Sequence, residues 1–290
     1  MAKQKTLKTA ALNITTEPPH SPENYIRLIK YLAEKGGALS GKLSHSDRLM
    51  LRRAVELPGA KFQGDFARYT LIDPNVPWLD IDKREPIVND DGEPIPQVKE
   101  GRGANLKIAC FMFYADSHLF VFDCRNISPK LFKEGLDKIL KHKEALEEFG
   151  PISLTVLPTK DALETLLNLP DKTKIELEFT LPNGDVPDEA ERVRRRYENM
   201  GASRVGMKVT SQSGRMLEPD EDLKTTMGIA STDGYVRVTH KAAKGKTRKR
   251  STEEMPRIET AAIDDEYWDT LDSLGGKFIR KGEGTRGRKK

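Results

Sequence analysis

The stretch ANLKIACFMFYADSHLFVFDC, residues 104–124, constrains the fold more than any other part of the chain. Two apolar runs flank Ala115-Asp116-Ser117, a short polar turn, so the segment is predicted to be a β-hairpin. Pairing Tyr114 with His118 places Ile108, Cys110, Met112, His118, Phe120, Phe122 and Cys124 on one face, and Phe111, Phe113, Leu119 and Val121 on the other. Both faces are then apolar, and neither can be left in water. The hairpin therefore belongs in the middle of a sheet covered on two sides. In that register the cysteines are diagonal neighbours at best, too far apart for an easy disulfide. Cys110 and Cys124 read as small hydrophobes of a reducing compartment.

The flanking sequence supplies the cover. SPENYIRLIKYLAEKGGAL reads as a helix: Ser21 caps it, Tyr25, Ile29, Leu32 and Ala33 line one side, and Gly36-Gly37 ends it. AKFQGDFARYTLI alternates as a strand does, and DPNVPWLDIDKREPIVNDDGEPIP is a long loop around Trp78. Ser128 and Pro129 start a long helix with Leu131, Leu136, Ile139, Leu140 and Leu146 on its apolar side, stopped by Gly150. Strands at ISLTVLP, KIELEFTLP, SRVGMKVTSQSG and GYVRVT then alternate with helices at TKDALETLLNLP and PDEAERVRRRYENMG. The predicted fold class is α+β, a mixed, largely antiparallel sheet with helices packed on it, plus a smaller α/β lobe and a basic C-terminal extension. The expected divisions are a basic N-terminal tail over 1–20, an α+β domain over 21–150, a second lobe over 151–239 and a largely flexible extension over 240–290. Within that extension only AAIDDEYWDTL has the pattern of a short docking helix.

Charge decides the partner class. The 290 residues carry a net charge of only +4, but the cations are gathered at the ends. Lys3, Lys5 and Lys8 lie at the start, and HKAAKGKTRKRS, His240 to Ser251, holds six cations and no carboxylate. Capture of nucleic-acid phosphates by Lys241, Lys244, Lys246, Arg248, Lys249 and Arg250 is the functional reading; a solubilising linker is the plain one. The tail repeats the composition with TRGRKK, adding Arg286 and Arg288. No aromatic interleaves these cations, so binding is expected to be free of base stacking and of sequence preference. On the 187–200 helix, Glu191 is placed to pair with Arg194 or Arg195, which leaves Arg192 and Arg196 as further phosphate candidates.

Other chemistry finds little footing. No apolar run approaches the roughly 20 residues of a membrane span, and the N-terminal apolar stretch is too short for a signal peptide, so no membrane insertion and a cytoplasmic location are expected. No nucleophile-plus-base pair, cysteine-histidine metal motif or cofactor fingerprint stands out, so no catalytic residue, metal or cofactor is assigned. The competing class is a metal-dependent nuclease effector using the loop carboxylates Asp80 and Asp82, with Lys83 beside them. Acidic turn residues are common for their local hydrogen bonds alone.

From Phe62 to Val238 the succession of SHLFVFD, ALETLLNLPDKTKIELEFTLPNGD, VGMKVTSQSG and ASTDGYVRV is similar to a bacterial family of unknown function found near mobile elements. Its members share the IDPNVPW loop and a PN-x-D turn. The order of elements also resembles RexA, the phage-exclusion protein of lambdoid prophages. That resemblance implies a cytoplasmic homodimer that binds DNA, rather than RNA, without strong sequence preference and acts in phage defence, with a defence-system protein as a possible partner. It brings no catalytic residues. The chain departs from RexA in the IDPNVPWLDIDKREPI insertion and the basic C-terminal extension, so the binding surface is assigned from the cations themselves.

Overall fold

The computed structural model describes residues 5–16, 21–180, 188–213, 215–242, 245–263 and 266–279. The segment expected to be a basic tail contains β1 (Thr6–Thr15), an interior strand of the main sheet. Leu7, Ala10, Ala11, Leu12 and Ile14 are all buried, while Lys8 points to solvent. A strand buried on both faces lacks the polar alternation that would have announced it.

α1 (Pro22–Lys35) follows, its first turn closed by the Asn24 amide donating to Ser21 Oγ at 3.4 Å. β2 (Ser40–Lys42), β3 (Asp47–Leu57) and β4 (Lys61–Leu71) form an antiparallel meander. The Pro- and Asp-rich insertion carries a small separate hairpin, β5 (Trp78–Asp80) with β6 (Glu85–Ile87). The chain then enters β7 (Gly103–Tyr114) and β8 (Leu119–Asp123), the hairpin on which the sequence reading turned.

Its register differs from the expected one by a single residue. Tyr114 pairs with Leu119 and Phe113 with Phe120, because a 3-10 turn over Ala115–Ser117 is followed by His118 in the left-handed region at φ 53°. The His118 ring stacks on Tyr25 at 4.1 Å. One residue of slip carries side chains to the opposite face. Phe120 and Phe122 therefore join Phe111 and Phe113 on one side, and Met112, Tyr114, Leu119 and Val121 share the other. Cys110 packs with the second group and Cys124 with the first, so the two free thiols sit on opposite sides of the sheet.

The phenylalanine face is covered by α1 and α2 (Pro129–Leu140), with Phe132 stacked on Phe122 at 4.0 Å. The long helix expected over 129–149 breaks at Lys141-His142 into α2 and α3 (Lys143–Phe149), and Leu146 is left partly exposed. β9 (Ser153–Val156) then returns to pair with the second half of β1. α4 (Ala162–Leu167) leads into β10 (Lys172–Thr180), α5 (Asp188–Glu198) and β11 (Arg204–Thr210).

α6 (Glu221–Asp233) has no counterpart among the helices expected from the sequence. Asp220 caps it, accepting from the Leu223 amide at 2.8 Å. Its buried residues Thr226, Met227, Ile229 and Ala230 share one face, but one of them is polar and Gly228 and Ser231 lie among them, so the apolar contrast along the sequence is weak. β12 (Gly234–Lys241) and β13 (Thr247–Ser251) complete a second sheet in the order β11-β10-β12-β13. This sheet runs past the boundary expected at 239. Its core joins Ile175, Leu177, Phe179, Val236 and Val238 to Met227 and Ala230.

β14 (Glu259–Ala262) pairs with the first half of β1, and α7 (Tyr267–Ile279) covers the second face of the main sheet. Described residues 245–263 and 266–279 are thus strand and docked helix, where a largely flexible extension was expected. The main sheet reads β14-β1-β8-β7-β4-β3-β2, with β9 also on β1, and its pairings are antiparallel. The α+β expectation is met.

α7 approaches the sheet closely because Gly275 has no side chain. A Cβ there would lie 1.9 Å from the Tyr114 hydroxyl and 2.7 Å from its ring. That ring cannot swing away, since it is buried and its hydroxyl donates to Asp272 Oδ1 at 2.6 Å. Glycine to alanine inside a helix ordinarily stabilises by up to about 1 kcal/mol. Gly275→Ala is expected to do the opposite and cost about 1–3 kcal/mol through overpacking, read by urea unfolding; a more stable variant would contradict the docking described.

Candidate nucleic-acid interface and an adjoining cleft

The β12–β13 hairpin explains what HKAAKGKTRKRS does locally. Ala242 donates to the Lys246 carbonyl at 2.8 Å, and Gly245 takes the left-handed conformation at φ 71° that closes the turn. β13 is the edge strand of the second sheet. Arg248 and Arg250 pair with His240 and Val238 and so project on the core side, while Lys249, opposite Thr239, projects on the other. Lys241, Lys246, Arg248, Lys249 and Arg250 are exposed. Among the described residues none of the five makes an ion pair with a carboxylate, although nearby Lys174, Arg237 and Arg257 all do. Lys249 acts on Glu176 only at a distance. That carboxyl is held below its usual range first by the Lys174 hydrogen bond, with Lys249 and Arg237 adding their fields. A charged edge also discourages pairing with another chain, but one lysine suffices for that. Lys244, Arg286 and Arg288 lie outside the described residues.

Arg192 and Arg196 do not extend this patch. Arg192 donates to Asp222 Oδ1 at 2.8 Å, so the arginine expected to be unsatisfied has a partner on α6. Arg196 lies over the Tyr197 ring at 5.8 Å. Both border a groove whose other charged residues are Glu218, Asp220 and Asp222, leaving acids in the majority. Arg195 pairs with Glu191 at 2.8 Å, as the spacing predicts.

The loop carboxylates serve their own turn. Asp80 Oδ1 accepts from the amides of Asp82 and Lys83 at 3.1 and 3.0 Å. Among the described residues no group of three or more His, Cys, Asp or Glu side chains is placed to hold a metal ion. Burial raises both thiols, Cys124 to about 11, which keeps them protonated and poorly nucleophilic. No helix among the described residues is long and apolar enough to cross a membrane.

Where the two sheets meet, α2 and β9 face the outer side of β10 and β12 across a cleft of about 540 Å³. The cleft's cations are all engaged. Lys130 pairs with Glu134 at 4.0 Å, Lys141 with Asp137 at 2.7 Å and Arg204 with Glu178 at 3.2 Å. Glu253 serves both Lys133 and Arg237, the latter at 3.8 Å. Asp233 and Glu254 have no cation among the described residues. Asp233 ends α6, where the helix dipole disfavours an anion. Among the described residues it accepts from Thr232 Oγ1 at 2.9 Å and, weakly, from Asn13 Nδ2 at 3.5 Å. Burial pushes its carboxyl up to about 6, against the Thr232 hydrogen bond.

A family model described as a domain of unknown function, DUF4747, matches residues 5–279. The chain belongs to that family. Comparison with curated proteins finds no match. The DUF4747 match begins at the residue before β1 and ends at the last residue of α7, so the family unit takes in both chain ends that close the main sheet. It includes the basic hairpin and leaves out Arg286 and Arg288.

Sequence reasoning missed Asp233, because STDG reads as a plain turn; its isolation from cations exists only in three dimensions. A carboxyl raised from 3.8 to about 6 binds its proton more readily in the folded chain than in the unfolded one. Its ionisation therefore lowers stability as pH rises through that window, fully above it and not at all below about pH 4. Asp233→Asn is expected to stabilise the fold by about 2 kcal/mol near neutrality and by nothing near pH 3.5, measured by urea unfolding at both pH values. Loss of stability near neutrality would show that the carboxylate has a favourable partner.

Proposed function

We propose that this DUF4747 protein binds nucleic acid, DNA in preference, without reading its sequence, and that the β12–β13 hairpin is the contact surface. The observation that carries the reading is the state of its cations: five on one hairpin, exposed, and unpaired among the described residues. Elsewhere on the second sheet Lys174, Arg204 and Arg237 are each paired with a carboxylate. A solvated basic edge keeps its charge available to displace counterions from phosphates, which is the main source of sequence-independent affinity. Being a two-stranded ribbon, the surface is ordered before binding, so little entropy is lost on contact. A homodimer acting in phage defence, near mobile elements, is the setting we propose, resting on the resemblance to RexA and to the mobile-element family.

Five phosphate contacts give a log-affinity versus log-salt slope of about −4.5 on duplex DNA. Replacing Arg248, Lys249 and Arg250 by Ala is expected to flatten that slope to about −2, leaving the thermal midpoint unchanged. Fluorescence anisotropy of a labelled random-sequence duplex across a salt series reads this out. Equal slopes in the two proteins, or no binding by the unaltered chain at low salt, would defeat the proposal.

A further inference from the structure

The cleft between the sheets has the opposite electrostatic character to the hairpin. Its volume, about 540 Å³, falls in the range of small-molecule sites, about 300–1,000 Å³. Leu146 and Pro151, both exposed, contribute apolar surface to its lining, and Tyr235 contributes an aromatic ring. The lining holds five cations, Lys130, Lys133, Lys141, Arg204 and Arg237, against six carboxylates, so one negative charge is left over, and Asp233 is the inner carboxylate with no cation beside it. A carboxylate mostly removed from water, at the unfavourable end of a helix and with only two neutral donors, is costly to keep unless something cationic completes it.

We infer that this cleft is a binding site for a small organic cation, a primary amine or guanidinium, whose charged end donates to Asp233 while its apolar body lies against the Tyr235 ring. A metal ion fits less well. Hard cations need several converging oxygens, and Asp233 brings one carboxylate without a second acid clustered beside it. Glu254, exposed and also without a cation among the described residues, adds its field to the same lining. Such a ligand would touch both α2–β9 and β10–β12, so it would also brace the two sheets against each other.

Agmatine, which carries an amine and a guanidinium, is the probe. Calorimetric titration of the full chain at about pH 7.5 is expected to show one saturable site. Its affinity should fall about tenfold at about pH 5, as Asp233 takes up a proton. No histidine lines the cleft, and burial together with Glu178 raises the Tyr235 hydroxyl, so Asp233 is the lining group that titrates in this interval. Asp233→Asn should abolish the heat, and Glu254→Gln should weaken binding severalfold. An absence of saturable binding at both pH values, or equal affinity in Asp233→Asn, overturns the inference. Duplex binding by Asp233→Asn should stay at the unaltered level, so failure at the cleft is separable from failure at the hairpin.

Discussion

The burial of one strand pair on both faces is the constraint from which the rest of the structure follows. Phe111, Phe113, Phe120 and Phe122 require one cover, and Met112, Tyr114 and Val121 require another. A hairpin of this kind cannot be an edge, so strands must flank it on either side. β4 comes from nearby in sequence, but β1 comes from the start of the chain and pairs directly with β8. β14 and α7 come from the end, closing the second face over β1 and β7. The chain's two ends are consequently structural parts of the core, and long-range pairing has to be complete before the aromatic faces are dry. At about 25 cal/mol for each Å² of apolar surface removed from water, four buried phenylalanines on one face are a sufficient reason for that closure.

Much of this was legible before any coordinates. The hairpin, its two-sided burial, α1 with its Ser21 cap and the alternation of β10 all follow from local pattern. The register did not, since a turn of three residues and one of four differ only in whether His118 adopts the left-handed conformation, which its stack on Tyr25 accompanies. At the ends, composition does not decide conformation. Lysines beside β1 and the cations of β13 look like solvated tails, yet alternation lets a strand keep Leu7 inside and Lys8 outside. α6 is hard to recognise because its buried face includes the polar Thr226 and is interrupted in sequence by Gly228 and Ser231.

The second sheet sorts charge in a way that sequence cannot display. On the side toward the main sheet Lys174, Arg204 and Arg237 are paired with acids, while Asp233 has no cation among the described residues. At its outer edge the order is reversed, and cations stand without acids on β13. Of the ten cations singled out along the chain, the fold sets Arg192 and Arg196 apart on α5, with Arg192 paired to Asp222, and places Lys241, Lys246, Arg248, Lys249 and Arg250 on a single ribbon. Charge placement of this sort affects what approaches a protein far more than its net value of +4 does.

Hydrogen–deuterium exchange with and without a long DNA duplex tests the central assignment most directly, because it locates contact and order in the same experiment. The account predicts that DNA slows exchange in the peptides spanning 238–251 and leaves those of α2 and β9 unchanged. Slowing confined to the cleft, or amides of β13 that exchange as fast as an unfolded chain when DNA is absent, would contradict it.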